Sequence, residues 1–333
     1  MENIRKCKLC GYTIHNTIYK AEDHFTQEYF YLVRCSNCNL IFTNPRPTQK
    51  ELNKYYPPSY YGEFGQRFNP IIEKAVQYFR KRLADKIDEN FLQSGRILEI
   101  GSGRGTLLSE MSKKGWIAIG TEFSESLVEK TTNTFGVRVF QSPNLNDCEF
   151  PDDYFDAVLC YHVLEHLPDP FSTLAEIHRI MRSQGLLIIA VPNIGGYTAR
   201  ISKNHWFGID VPRHLFHFTQ KTLKRALNIY GFEIISQSTL SMEQDVFGFA
   251  QSILNLIGFP NNIFYDFIRS PAGRMRHDFK NRNRFNNLFQ KSILFIIGGG
   301  LSIIGLFISP IVALFSYGGT IEYWSTQDNS EYK

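Results

Sequence analysis

The chain has 333 residues, 43% of them hydrophobic and 20% charged, with a formal net charge of +4. That is enough apolar material for one large core, or for a core domain with a smaller unit beside it, and the charge is too small to argue by itself for a nucleic-acid partner. Six cysteines are present, four in two C-x-x-C pairs, and Met1-Glu2-Asn3-Ile4-Arg5-Lys6 shows no signal-peptide pattern. The reading is therefore metal binding in a reducing, cytoplasmic compartment, not a secreted disulfide framework.

The two pairs open the chain. Cys7-Lys8-Leu9-Cys10-Gly11 and Cys35-Ser36-Asn37-Cys38-Asn39 are knuckle-like. Each can wrap one side of a tetrahedral zinc through its thiolates, with Tyr29 to Arg34 as a short β-rich run between them. Four thiolates leave no open position, so a zinc on Cys7, Cys10, Cys35 and Cys38 is structural, and so small a unit needs that staple to fold. Four unrelated buried cysteines are the bland alternative. Leu40 to Pro47 and Tyr55 to Tyr61 then read as a linker with an aromatic face, closing a first region over residues 1–65.

A second region, 66–241, begins with Asn69-Pro70, a cap and first-turn pair. Ile72, Val76, Phe79, Leu83 and Ile87 follow at helical spacing. Arg96 to Ile100 is a short buried strand. Glycines at 101, 103 and 105 come next, and then a helical pattern with Leu107, Leu108 and Met111 on one face. Strand, tight glycine turn and helix is the layout of a nucleotide-type cofactor site. A dinucleotide fingerprint would need glycine at position 106, which is threonine, and the P-loop G-K-[ST] is absent. Trp116 to Thr121 is a second strand ending in Glu122-Phe123. A carboxylate there can accept both ribose hydroxyl protons of a bound nucleoside, and the phenyl ring can stack on the base. Arg138 to Gln141 reads as a third strand, followed by Asn144-Leu145-Asn146-Asp147. Phe155 to Cys160 is a fourth, reaching Tyr161-His162-Val163-Leu164-Glu165-His166-Leu167-Pro168-Asp169-Pro170. A helix over Phe171 to Met181 precedes a fifth strand, Leu186 to Val191. Thr219 to Gly231 marks another helix, and Phe232 to Leu240 a sixth strand.

The run Glu99-x-Gly101-x-Gly103-x-Gly105, taken with Phe150 to Pro170, resembles the first and fourth-strand motifs of class I S-adenosylmethionine (SAM) methyltransferases. The resemblance implies an α/β, Rossmann-like seven-strand sheet with helices on both faces, preceded here by the small zinc ribbon and interrupted by a helical hydrophobic insertion before the last strand. It implies SAM as cofactor, held by Glu99, Gly101, Gly103, Gly105, Glu122, Phe123, Asn144, Leu145 and Tyr161. Asn144 stands where the family usually has an aspartate for the adenine amino group. The cysteine unit and linker look like those of a bacterial subset of these enzymes, which suggests a small molecule, a sugar or a lipid-linked glycan as acceptor. The alternatives are an RNA-directed methyltransferase and an inactive SAM-fold binding module that uses the zinc ribbon.

His162, Glu165 and His166 stand at i, i+3 and i+4, and on a helical turn they share one face. His214 lies in a later segment that can fold over the same mouth. Together they are the candidate catalytic group, with a histidine as general base. Ubiquinone-pathway O-methyltransferases carry E-x-x-E-H at this place, which binds a divalent ion. Glu165 and His166 match that pattern and His162 departs from it.

The last two strands of the resembled fold form an edge pair, yet here residues 242–317 separate Phe232–Leu240 from Gly319–Gln327, and 318–333 hold the last strand and tail. No charged residue occurs from Ser292 to Ile321. That run is longer than the ~20 residues a helix needs to span a bilayer. Arg269, Arg274, Arg276, Lys280, Arg282, Arg284 and Lys291 precede it, against Asp278. With Gly298-Gly299-Gly300 and Ser309-Pro310 as breaks, the insertion reads as a re-entrant or interfacial helical hairpin on the inner face of a membrane. A buried helical subdomain or a dimer interface is the competing reading.

Overall fold

The computed structural model describes residues 1–56, 70–269 and 288–327. The aromatic run 57–61, the expected cap Asn69 and the basic positions between 270 and 287 lie outside them. The described strands are β1 His15–Glu22, β2 Tyr29–Cys35, β3 Ile41–Thr43, β4 Arg96–Ile100, β5 Ile117–Glu122, β6 Arg138–Gln141, β7 Phe155–Tyr161, β8 Met181–Pro192, β9 Phe216–His217, β10 Phe232–Ser238 and β11 Thr320–Gln327. They form a four-stranded and a seven-stranded sheet. The chain divides into two compact units: Met1–Glu73 with Pro192–Thr222 and Ser238–Ile321, and Lys74–Val191 with Leu223–Gln237 and Glu322–Lys333.

The second unit carries the seven-stranded sheet, in the order β10-β11-β8-β7-β4-β5-β6. β4 pairs in parallel with β5 on one side and β7 on the other. β5 pairs in parallel with β6, and β7 with β8. Strand order therefore reverses beside β4, and in open α/β sheets ligands bind off the carboxyl end of the strands at that reversal. β4 and β7 are near-continuous apolar runs because parallel strands are covered on both faces. Ile97, Leu108, Met111, Trp116, Leu159, Ile188 and Trp324 pack in one buried cluster. The helix Pro170–Ile180 starts where the Asp169 side chain accepts the Ser172 N–H at 3.2 Å, with proline at its first position. The helix Gln220–Ile229 starts with Thr219 and Thr222, each side chain accepting the other's backbone N–H.

The first unit is built on the order β1-β2-β3-β9, antiparallel throughout. Two of these strands correct the sequence reading. β1 lies in a stretch that the sequence pattern left unassigned, and β3 falls in what read as linker. β9 is a two-residue strand in the segment 194–218, which shows no period of its own. Phe30, Leu32, Ile41, Trp206 and Val211 form this unit's core beside the sheet. Arg213 is fully buried there. Its guanidinium donates to Asp23 at 2.7 Å, to Asp210 at 2.6 and 2.9 Å and to the Tyr55 carbonyl at 3.1 Å.

The insertion is helical, as expected, but it is not broken where expected. After the helices Met242–Leu256 and Ile263–Arg269, one helix runs unbroken from Leu288 to Leu314 across the glycine triplet and Pro310. Packing overrides local propensity here. A Cβ at Gly298 would sit 2.5 Å from the Phe264 ring, and one at Gly305 would sit 3.1 Å from the Val246 carbonyl. Two of the small residues that weaken the helix in isolation are what let it approach its neighbours.

Removing Arg213 would leave the buried Asp23 and the partly buried Asp210 carboxylates with His24, at 3.9–4.0 Å, as a remaining neighbour. Breaking such a group by truncating one partner costs about 3–5 kcal/mol. Arg213→Leu is therefore expected to lower the unfolding free energy of the first unit by that order, measured by equilibrium urea unfolding, whereas Arg225→Leu on the other unit should change it little.

Candidate active site

The site is built from the carboxyl ends of β4, β5 and β7. At the end of β4 the chain turns through Gly101, Gly103 and Gly105, with φ of 66°, 55° and 66°, a region that side chains rarely adopt. Their surroundings differ. A Cβ at Gly101 would meet Val163 at 2.5 Å and one at Gly105 would meet Thr131 at 2.2 Å, while one at Gly103 would meet no protein atom within 4 Å. The outer glycines are pressed against protein, and the middle one leaves its face open.

Glu122, at the end of β5, ties the turn down. Its carboxylate accepts the Gly103 N–H at 2.9 Å and the Ser124 N–H at 2.9 Å. It is buried, and burial pushes its pKa up against the pull of those hydrogen bonds. Beside it in the chain, Phe123 is 40% exposed, free to offer its ring. Glu99 on β4 is also buried, and its Oε2 has no hydrogen-bond partner. Burial pushes this carboxyl up to about 8, with Arg80 pulling down and the neighbouring Glu122 charge adding to the rise. The site thus holds two buried carboxyls, one of them with an unmatched oxygen.

At the end of β7, the Arg80 guanidinium lies 5.0 Å over the Tyr161 ring. The Tyr161 hydroxyl donates to Glu322 at 3.1 Å, and Trp324 Nε1 donates to the same carboxylate at 2.7 Å. Arg80, Glu322 and Trp324 were not among the residues singled out from sequence. One signal was there: Glu322 is the sole charged residue in the strand Thr320–Gln327, and an acid inside a buried strand asks for a partner.

His162 follows directly. It has a left-handed backbone, φ 57°, uncommon for a side chain with a Cβ and concentrated at functional sites. Its N–H donates to the Ala190 carbonyl at 2.8 Å, which holds the strained residue against β8. Its Nδ1 is 3.7 Å from Glu165 Oε1, and its Nε2 is buried with no partner. The turn Leu164–His166 is 3₁₀. His162 precedes this turn, and its left-handed backbone brings its ring to Glu165. Glu165 and His166 offer ligand atoms within 4.8 Å of one another. Asn144 donates to Asp147 at 3.1 Å, and Leu145 is buried at the start of a 3₁₀ turn. His214 belongs to the first unit, where its Nδ1 pairs with the Gly208 carbonyl at 2.8 Å.

The four N-terminal thiols also come together, within the first unit. Their ligand atoms all lie within 4.8 Å of one another, with Cys7–Cys38 at 3.5 Å and Cys10–Cys35 at 3.6 Å. A tetrahedron with Zn–S of about 2.3 Å has edges of roughly 3.8 Å, so the spacing fits. The two knuckles are built alike. In each, the N–H of the residue after the second cysteine donates to the first cysteine's carbonyl, Gly11 to Cys7 at 2.8 Å and Asn39 to Cys35 at 3.0 Å. Both of those residues are left-handed, with φ of 73° and 62°.

Residues 74–237 match the family model described as a methyltransferase domain. This stretch is a class I SAM-dependent methyltransferase domain. Among curated proteins, one named "Probable S-adenosylmethionine-dependent methyltransferase" from Mycolicibacterium smegmatis is 27% identical over 51% of this chain and 65% of its own. A ubiquinone biosynthesis O-methyltransferase from Aromatoleum aromaticum is 33% identical over 33% of this chain and 49% of its own. The chain thus spans between about half and two thirds of these two relatives. Among solved structures, a SAM-dependent methyltransferase from Archaeoglobus fulgidus is similar at 19% identity, over 75% of this chain and 94% of that one, with a TM-score of 0.47.

The methyltransferase domain carries a pH signature through Glu99. An unfolded glutamate titrates near 4.3, and the folded one at about 8. Between those values the folded state holds a proton that the unfolded state has lost, so stability falls as pH rises through the window. Chemical unfolding of the cofactor-free protein at pH 5, 6, 7 and 8 is expected to show that fall, and Glu99→Gln should flatten it.

Proposed function

We propose that this chain transfers the methyl group of SAM to a hydroxyl of a small-molecule acceptor. The observation that carries the reading is the unmatched, buried carboxylate oxygen of Glu99 at the foot of a glycine turn whose middle residue has an open face. A cationic ligand suits that oxygen: it would hold Glu99 ionised and remove the cost of an unpaired buried group. SAM, with its ammonium and sulfonium charges, is such a ligand. Glu122 keeps lone pairs free beyond its two backbone bonds and can accept both ribose hydroxyls. Phe123 can stack on the adenine, with Asn144 and Leu145 at its edge, and Gly101, Gly103 and Gly105 shape the backbone beneath. Arg80, poised over Tyr161, is a cation for the ligand's carboxylate.

Bound SAM supplies a methyl group already activated on sulfur, so the protein's part is alignment and proton removal. His162 Nε2 takes the acceptor's hydroxyl proton, and Glu165 beside Nδ1 orients the ring and stabilises the imidazolium. The O-methyltransferase names among the relatives support a hydroxyl as the accepting group, and sugar or lipid-linked hydroxyls are served by the same base. A second use of the turn is favoured by the proximity of the Glu165 and His166 ligand atoms: a divalent ion that acidifies the acceptor hydroxyl. A chelator that abolishes turnover, with recovery on added magnesium, selects the ion over the base. Zinc on Cys7, Cys10, Cys35 and Cys38 has a structural role, since four thiolates close its coordination.

Calorimetry is expected to show binding of SAM and of its demethylated product, and none of NAD. Gly103→Ala should weaken SAM binding at least tenfold with a modest loss of stability, because its Cβ enters the open face. Gly105→Ala should mainly destabilise the fold. His162→Gln is expected to reduce turnover by roughly 10²–10⁴ while SAM affinity changes less than threefold. Unchanged SAM affinity in Gly103→Ala, or normal turnover in His162→Gln, contradicts the assignment.

Elemental analysis should find one zinc per chain. Cys35→Ser should lose it together with order in the first unit's sheet, whereas Cys148→Ser should keep it. Full zinc in Cys35→Ser would rule out this site.

A further inference from the structure

The helix Leu288–Leu314 distributes its side chains in an unusual way. The stripe facing the helices Met242–Leu256 and Ile263–Arg269 mixes small and large residues: Gly298, Gly305, Ser309 and Leu294 are buried, and Ile297 and Leu301 pack beside them. Many of the remaining bulky residues point the other way. Phe295, Ile296, Ile303, Phe307, Ile311 and Leu314 are between 55% and 84% exposed. Spacings of three and four place Ile296, Ile303, Phe307, Ile311 and Leu314 along one face, and at 1.5 Å per residue that face is roughly 27 Å long. A surface helix of a water-soluble unit carries polar residues outward. This one carries aromatic and branched aliphatic side chains outward and uses its glycines inward.

We infer that the outward face of this helix is a docking surface for an anionic lipid bilayer, with the helix lying along the headgroup–acyl boundary. Two observations select a bilayer over a second copy of the chain. The helix is long and apolar enough over Gln290–Leu314 to suit a bilayer, and from Ser292 to Ile321 the chain has no charged residue. At its N-terminal end the apolar run meets a strongly cationic sequence, since Arg269, Arg274, Arg276, Lys280, Arg282, Arg284 and Lys291 stand against Asp278. Cations that adjoin an apolar run in the sequence complement anionic headgroups above acyl chains; a second copy would bring only more positive charge. An embedded face also agrees with the buried inner stripe. A helix packed along one side on its own unit can offer the other side to lipid without crossing it. The surface does not depend on the methyltransferase reading.

The test is vesicle flotation of the full chain. Vesicles of phosphatidylcholine alone and of phosphatidylcholine with 30% phosphatidylglycerol are compared at low and high salt. Co-flotation with the anionic vesicles, at least fivefold above the zwitterionic ones and reduced by salt, is expected. The double variant Ile303→Asp, Phe307→Asp should lose flotation while retaining the wild-type thermal midpoint and SAM affinity. Since those positions face outward, the variant has no packing reason to misfold; a milder pair, Ile303→Ser and Phe307→Ser, should show the same loss in reduced form. Light scattering separates the alternative. A detergent-free dimer that the same substitutions dissociate, without flotation of the wild type, overturns the inference, and so does flotation that survives both pairs.

Discussion

The Glu122 carboxylate holds the active site together. One oxygen takes the N–H of Gly103 and the other takes that of Ser124, so a single side chain fixes the glycine turn after β4 to the end of β5. Two neighbouring parallel strands are thereby locked at the point where strand order reverses. The cost is a buried carboxylate, which its backbone bonds offset. A second buried carboxyl, Glu99, lies within reach of its field and has an oxygen that no group among the described residues satisfies. On the proposed reading a cationic cofactor would relieve that oxygen, and cofactor affinity and fold stability would be linked through the same two residues.

The first unit solves a different problem. Its four-stranded sheet packs on one apolar cluster, and the helices of the insertion hold another. Two further devices tie the unit together. One is the four-thiol cluster, whose knuckles are each closed by the same left-handed hydrogen bond. The other is Arg213, which draws Asp23, Asp210 and the Tyr55 carbonyl onto one guanidinium. Both tie together chain segments that are far apart in sequence.

Much of this was legible in the sequence. The β4-turn-helix unit, the acid ending β5 and the seven-strand α/β sheet follow from apolar runs, glycine spacing and the resemblance they carry. The C-x-x-C pairs announced the thiol cluster. What could not be read depends on distant partners. β9 is two residues long, and only its pairing with β3 makes it a strand. Arg213 and Asp23 are 190 residues apart, and nothing local marks either as buried. Arg80 reaches the site from a helix whose own pattern speaks only of packing, and the lone acid of its strand is the one local mark of Glu322. The unbroken course of the long helix is not legible from the local propensity of glycine and proline. At Gly298 and Gly305 it is the neighbours, Phe264 and Val246, that call for a small residue.

The most direct test of the site is a crystal structure of the full chain with S-adenosylhomocysteine, the product left after methyl transfer. The ribose hydroxyls should lie within hydrogen-bond distance of Glu122, the adenine against Phe123, and the amino group beside Glu99 above the Gly103 face. A nucleoside bound elsewhere, or Glu99 and Glu122 left without ligand contacts in a saturated crystal, would contradict the reading.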